Sequence, residues 1–129
     1  MSDQSLVRAM ASMGGGIASS GGPCGALIGA VAFFGSLMGK DEPEKRDDRL
    51  MWKISYEFYK RFENEVAGKW GSINCRDITG VDWRNRDQAR AFRKREGRVQ
   101  CANLTGKAAR ILGEVMEKYL KKGRNKNNN

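Results

Sequence analysis

Three cysteines and no histidine set the chemistry open to this 129-residue chain. Cys24, Cys75 and Cys101 lie far apart, with no Cys-x-x-Cys pair among them. Thiolates attack disulfides and ligate soft metals, and they are favoured at helix N-termini and beside Lys or Arg. Cys24 follows Pro23 at the head of an apolar run, Cys75 precedes Arg76, and Cys101 opens the last predicted helix just after Arg98. All three are therefore expected to be helix-start thiols in positively biased surroundings, with lowered pKa values. The competing reading is structural, because free cysteine is among the most buried residue types and packs as a small hydrophobe. An odd count argues against a closed disulfide framework.

The absence of histidine excludes Ser-His-Asp and Cys-His catalysis within the chain, as well as His-ligated zinc or haem. The carboxylates are interleaved with Lys and Arg, where solvation explains them, and no isolated pair sits in an apolar setting. A His-dependent hydrolase is not expected.

The elements that must position the thiols read as helices. Residues 3–13 form a short one, with Leu6, Met10 and Met13 on one face and Ser2 or Asp3 as its cap. GGGIASSGG, 14–22, breaks it, its glycines permitting positive φ. Pro23 is expected as the first residue of a helix to Leu37 or Met38, capped by Gly22 and stopped by Gly39. This apolar run is too short for a membrane span, which needs roughly 18 or more apolar residues. It is expected to be a buried core helix whose Gly25, Gly29, Gly35 and Gly39 let neighbours approach closely.

A polar linker follows. Over 47–68, Leu50, Ile54, Phe58, Phe62 and Val66 recur every four residues, with Trp52, Tyr56 and Tyr59 widening the stripe; Asp47 or Asp48 starts this helix and Gly68 ends it. Ser72 is expected to cap a single turn holding Cys75, ended by Gly80. Residues 84–96 are helix-prone but polar, with Phe92 as their apolar anchor. The last helix spans about 99–122, through Leu104, Ala108, Ile111, Leu112, Val115, Tyr119 and Leu120. These elements predict one all-α domain over 1–122, a compact bundle of four to five helices around a central glycine-rich apolar helix, with 123–129 as a disordered polar tail.

The formal net charge is +9. Arg84, Arg86, Arg90, Arg93, Lys94, Arg95 and Arg98 crowd one segment, interrupted by Asp87 and Glu96 and preceded by Asp82. Such a run draws acidic partners or nucleic acid, and Trp83 and Phe92 could stack on bases. A solvated helix face explains the charges as well. No charged n-region with a following apolar stretch opens the chain, so a cytoplasmic location is expected.

PCGALIG, the later NCRDITG and the final CANLTGKAARILGEVMEKYL, in this order and spacing, resemble the redox-active family named for its C-GCAxxG-C-C cysteine pattern. The likeness runs from about Leu6 to Leu120. It implies a small helical protein in which Cys24, Cys75 and Cys101 are functional thiols, with Gly25, Ala26 and Gly29 as packing residues around the first. It also implies an Fe–S cluster or another thiolate-bound metal as a candidate cofactor, with thiol–disulfide exchange as the cofactor-free alternative. The family's first cysteine lies upstream of the glycine loop, and Met1 begins too late to include it, so the chain reads as a short form. A cluster normally takes four ligands, so another chain or a non-cysteine group would have to complete it. The expected function is redox chemistry at the clustered thiols, with a redox partner protein or other subunit, an acidic one in particular, and a possible homo-oligomer. The alternative is a basic nucleic-acid-binding protein, or a structural subunit docking on an acidic partner.

Overall fold

The computed structural model describes residues 4–121. Ser2, Asp3 and the 123–129 tail, for which a cap and disorder were expected, lie outside the described residues. Within them the chain is all-α, with six α-helices counting the single turn at Cys75, and no strand. No helix of the described residues is long and apolar enough to cross a membrane.

Helix α1, Gln4–Met10, is extended by a 3₁₀ turn over Ala11–Met13. Leu6, Met10 and Met13 are half-buried while Val7 is exposed, so the expected face is the one turned inward. Helix α2 is Gly25–Met38, two residues later than Pro23 predicted, for a reason that belongs to the thiol site. Helix α3, Arg49–Arg61, begins where the Asp48 carboxylate accepts from the Leu50 N–H at 2.8 Å, satisfying one of the free amides of the first turn. It does not run on unbroken to Gly68. A π turn over Phe62–Val66 and a 3₁₀ turn over Gly68–Trp70 succeed it, and they keep Phe62 and Val66 facing inward.

Helices α4 (Cys75–Thr79) and α5 (Arg86–Lys94) follow, then α6 (Gly97–Met116), which ends in a π turn over Glu117–Lys121. Asn85 caps α5 by accepting from the Gln88 N–H at 3.1 Å. Phe92 and Ala89 are the buried residues of α5, as its one-anchor pattern requires.

The core lies where α2, α3 and α6 meet. Leu27, Ala30 and Phe34 of α2 pack with Ile54 and Phe58 of α3, Phe62 and Val66 after it, and Leu104, Ala108, Ile111 and Val115 of α6. Phe58 stands edge-on to Phe34 with ring centroids 6.0 Å apart, and 6.2 Å from Phe62. Outside this core, ion pairs tie α3 to the end of α6, with Arg61 to Glu114 at 2.8 Å and Lys118 to Glu57 at 2.6 Å.

Three expectations are corrected. Trp52 and Tyr56 do not widen the buried stripe of α3; they are 61% and 65% exposed. The glycines of α2 do not bring a neighbouring helix close: a Cβ on Gly29 or Gly35 would meet nothing within 4 Å. Nor is α2 enclosed on all sides, because Ala26, Gly29 and Phe33 line an open apolar groove with Ala108, Ala109 and Leu112 of α6. Three helices give α2 only one side to bury, and its small residues fall largely on the other.

Candidate functional site

The thiols are positioned by an unusual loop. From Gly15 to Ser19 five consecutive residues have φ between 51° and 72°, and Gly21 follows at 79°. Glycine accepts this backbone freely, but Ile17, Ala18 and Ser19 each carry roughly 1–2 kcal/mol of left-handed cost. Hydrogen bonds within the loop offset it. The Ala18 N–H donates to Ser12 O at 2.7 Å, Gly21 N–H to Gly15 O at 2.9 Å and Gly22 N–H to Gly16 O at 2.8 Å. The Ser20 hydroxyl also donates to Gly16 O, at 2.6 Å.

The tightly wound loop delivers residues 21–24 as a short extended segment antiparallel to 73–76, around a single bridge between Pro23 and Asn74. The Cys24 N–H donates to Ile73 O at 2.8 Å, and the Cys75 and Arg76 N–H groups donate to Gly22 O and Gly21 O at 2.6 and 3.2 Å. The last two are first-turn amides of α4, which would otherwise lack partners. Because the Cys24 amide is committed to Ile73, Cys24 serves as the N-cap of α2, its carbonyl accepting from Leu27 and Ile28. Pro23 therefore belongs to the bridge and not to the helix.

The register places Cys24 opposite Ile73 and Cys75 opposite Gly22, so the two cysteines are diagonal neighbours. All three cysteines are free and half-buried. Cys101 lies on α6, and its thiol pKa is raised in part by the charges of Cys75 and Cys24, as that of Cys75 is by Cys24. Cys101 is the fifth residue of α6, one turn inside the helix rather than at its opening, since α6 starts at Gly97. A side chain at Gly97 would collide with the Phe92 ring, so this glycine lets α6 begin directly against α5.

The expected lowering of the thiol pKa values is overturned for two of the three. Burial pushes Cys75 up, opposed in part by the indole N–H of Trp83, with the nearby Cys24 charge adding to the rise. Burial likewise pushes Cys101 up, and the charges of Cys75 and Cys24 add to it. Desolvation outweighs any help from helix ends. Raised thiol values favour the protonated form in the folded state, so the stability they contribute is present below the ordinary thiol pKa and lost as pH rises through the folded one. Alkylation of Cys75 and Cys101 by iodoacetamide at pH 8 is expected to be slower in the native protein than in urea. The gap should narrow as pH rises above about 8.5, while urea stability declines over the same range. Faster native alkylation at pH 7 would contradict this assignment.

Trp83 is a neighbour of Cys75 that spacing did not reveal. Its indole N–H donates to Cys75 Sγ at 3.1 Å. Its ring meets Phe92 edge-on at 5.5 Å, and the Arg93 guanidinium lies over it at 5.9 Å. Phe92 is buried, so it packs against Trp83 rather than facing solvent, while Trp83 is half-buried. The only sequence signal was a tryptophan close after the NCRDITG turn.

Among the carried-over packing residues, Gly25 lies close to a neighbour and Ala26 packs against the core. A Cβ on Gly25 would meet Met13 O at 3.4 Å, whereas Gly29 is open and Ala26 lines the groove beside it. Among the described residues no group of three or more His, Cys, Asp or Glu is arranged to hold a metal ion. A redox-active cysteine family is compatible with a thiolate-held metal, but these residues, as they are placed, do not form a ligand set for one.

Residues 1–115 match the model of the family described as "Putative redox-active protein (C_GCAxxG_C_C)". No curated protein and no solved structure matches the chain.

Proposed function

Since the chain belongs to the C_GCAxxG_C_C family of redox-active proteins, we propose that it carries out thiol–disulfide exchange, with Cys75 as the attacking thiol and Cys24 as its resolving partner. The observation that carries this reading is the backbone bridge between Pro23 and Asn74, which sets Cys24 beside Cys75 through the Cys24 N–H to Ile73 O and Cys75 N–H to Gly22 O hydrogen bonds. The Trp83 N–H adds to it, since a donor on sulfur stabilises the attacking thiolate. The Cys75 thiolate attacks one sulfur of a substrate disulfide, and the first substrate thiol leaves with a proton. The Cys24 thiolate then attacks Cys75 Sγ, closing a protein disulfide and releasing the second substrate thiol. The substrate gains two electrons and the protein loses them. The bridge leaves Cys24 and Cys75 as neighbouring free thiols, and a disulfide between them needs their Cα atoms within about 7 Å.

Oxidation of the reduced protein with diamide, followed by alkylation and peptide mapping, tests this directly. The expected product is a Cys24–Cys75 cross-link with Cys101 alkylated. The Cys75→Ser variant is expected to lose exchange with a model disulfide, and Cys24→Ser to stall as a mixed disulfide on Cys75. A disulfide that leaves Cys75 free, or no intramolecular disulfide at all, would overturn the assignment.

A further inference from the structure

Charge is segregated over this molecule. Ion pairs among the described residues involve Lys40, Lys45, Lys60, Arg61 and Lys118 with nearby carboxylates. From 84 to 98 the chain carries seven Lys and Arg against two carboxylates, and none of the seven forms an ion pair among the described residues. All seven are exposed. In α5 the inward residues are Ala89 and Phe92, while Arg86, Arg90, Arg93 and Lys94 follow one another at three- and four-residue spacing along the outer side. Concentrating like charges on one helix face destabilises an isolated fold, and an opposite charge from outside relieves it.

The location of this face gives it meaning. Arg93 lies over the Trp83 indole, and the same indole donates to Cys75 Sγ. A molecule seated on the α5 cations is thereby brought beside Cys75. The occupant the observations favour is a protein. Phe92 is buried and Trp83 is half-buried, with Phe92 edge-on to its ring and Arg93 over it, so the segment offers no run of aromatic faces on which successive bases could stack, and base stacking is what single-stranded nucleic acid sites rely on.

We propose that the outer face of α5, with Arg86, Arg90, Arg93 and Lys94 at its centre, is the docking surface for an acidic protein segment that carries the disulfide exchanged at Cys75. The inference rests on the thiol-exchange reading for its chemistry, but docking itself needs no thiol. Opposite charge steers such an encounter and raises its rate by about tenfold or more, an effect that salt removes.

The test uses two fluorescent probes and the full chain. One is an oligoglutamate peptide without cysteine. The other is the same peptide with one cysteine held as its 2-pyridyl disulfide, which Cys75 attacks to form a mixed disulfide and release pyridine-2-thione. The cysteine-free peptide is expected to bind wild type and the Cys75→Ser variant alike. Binding should weaken steeply with salt and fall by about tenfold or more in Arg86→Glu/Arg90→Glu/Arg93→Glu/Lys94→Glu. The salt series on wild type keeps the test decisive should that variant fail to fold. The activated peptide is expected to label Cys75 at least about tenfold faster than an uncharged analogue at low salt, with the advantage gone at high salt. Salt-independent peptide binding, or equal binding by the folded charge-reversed variant, would overturn the proposal. So would a DNA duplex that stays bound at a salt concentration where the peptide has been released. Peptide binding without labelling of Cys75 would uphold the docking face while removing the exchange chemistry.

Discussion

Gly16→Ala is expected to detach the glycine loop from Cys75 and to destabilise the protein by about 2–5 kcal/mol, the left-handed backbone cost added to that of overpacking. Gly16 is buried with φ 72°, and a Cβ there would stand 2.3 Å from Gly22 O, 2.5 Å from Gly22 N and 2.8 Å from Cys75 Cβ. Two of those atoms are backbone, so no rotamer change relieves the contact. Gly22 must move, and Gly22 O holds the Cys75 amide at 2.6 Å. Loss of stability in urea should therefore come with loss of the Cys24–Cys75 cross-link under diamide. Gly29→Ala is the control. It lies within a helix, with open space where a Cβ would sit, and is expected to stabilise by about 0.5–1 kcal/mol. The same substitution at two glycines would then act with opposite signs. A neutral Gly16→Ala would refute the role given to the loop.

Phe58→Ala should cost about 3–5 kcal/mol. Phe58 is fully buried between Phe34 and Phe62, and its loss would leave a cavity lined by two aromatic rings, one from α2 and one from the π turn after α3. Against a typical total of 5–15 kcal/mol, a loss of this size leaves a marginal fold. The midpoint in urea should fall with the slope unchanged. Trp52→Ala, on the same helix but on its exposed side, should stay within about 0.5 kcal/mol. A loss below about 1 kcal/mol at Phe58 would mean that the core is not centred where α2, α3 and α6 meet.

Helix α3 was legible because its signal is local: an aspartate cap, a four-residue apolar period and one buried side. Even there, period alone could not say that Trp52 and Tyr56 face solvent, since aromatic rings suit either the edge of a core or open surface. The start of α2 was misplaced because it is decided by a partner distant in sequence. Pro23 is well formed for a first helical position, and only the Ile73 carbonyl, by taking the Cys24 amide, moves the boundary to Gly25. The early start of α6 depends on Phe92 lying over Gly97, which spacing does not display.

The thiol pKa directions failed for a related reason. Helix ends and neighbouring arginines can be read along a chain, but desolvation is a property of the folded surroundings, and for Cys75 and Cys101 it is the larger effect. The left-handed run was half legible. Its glycines announced positive φ, while Ile17, Ala18 and Ser19 adopt it only because the hydrogen bonds of the assembled loop hold them there. The resemblance pointed to the three cysteines, yet it could not supply the Trp83 contact or the arginines beside it that form no ion pair among the described residues.

The lone bridge between Pro23 and Asn74 has a consequence for how this protein comes apart. The bundle is secured by interlocked apolar side chains, which release together. The thiol face adds to its packing of Ile78, Ile73 and Cys24 on that core only a few backbone hydrogen bonds and a left-handed loop. Proteins open in separate cooperative units, and those with fewer buried contacts open at lower free energy. The glycine loop and the turn around Cys75 are thus the unit expected to open first, with amides that exchange with solvent before those of α3 and the body of α6. Breathing of that unit, rather than global unfolding, would admit a bulky disulfide to sulfur atoms that the closed form half conceals.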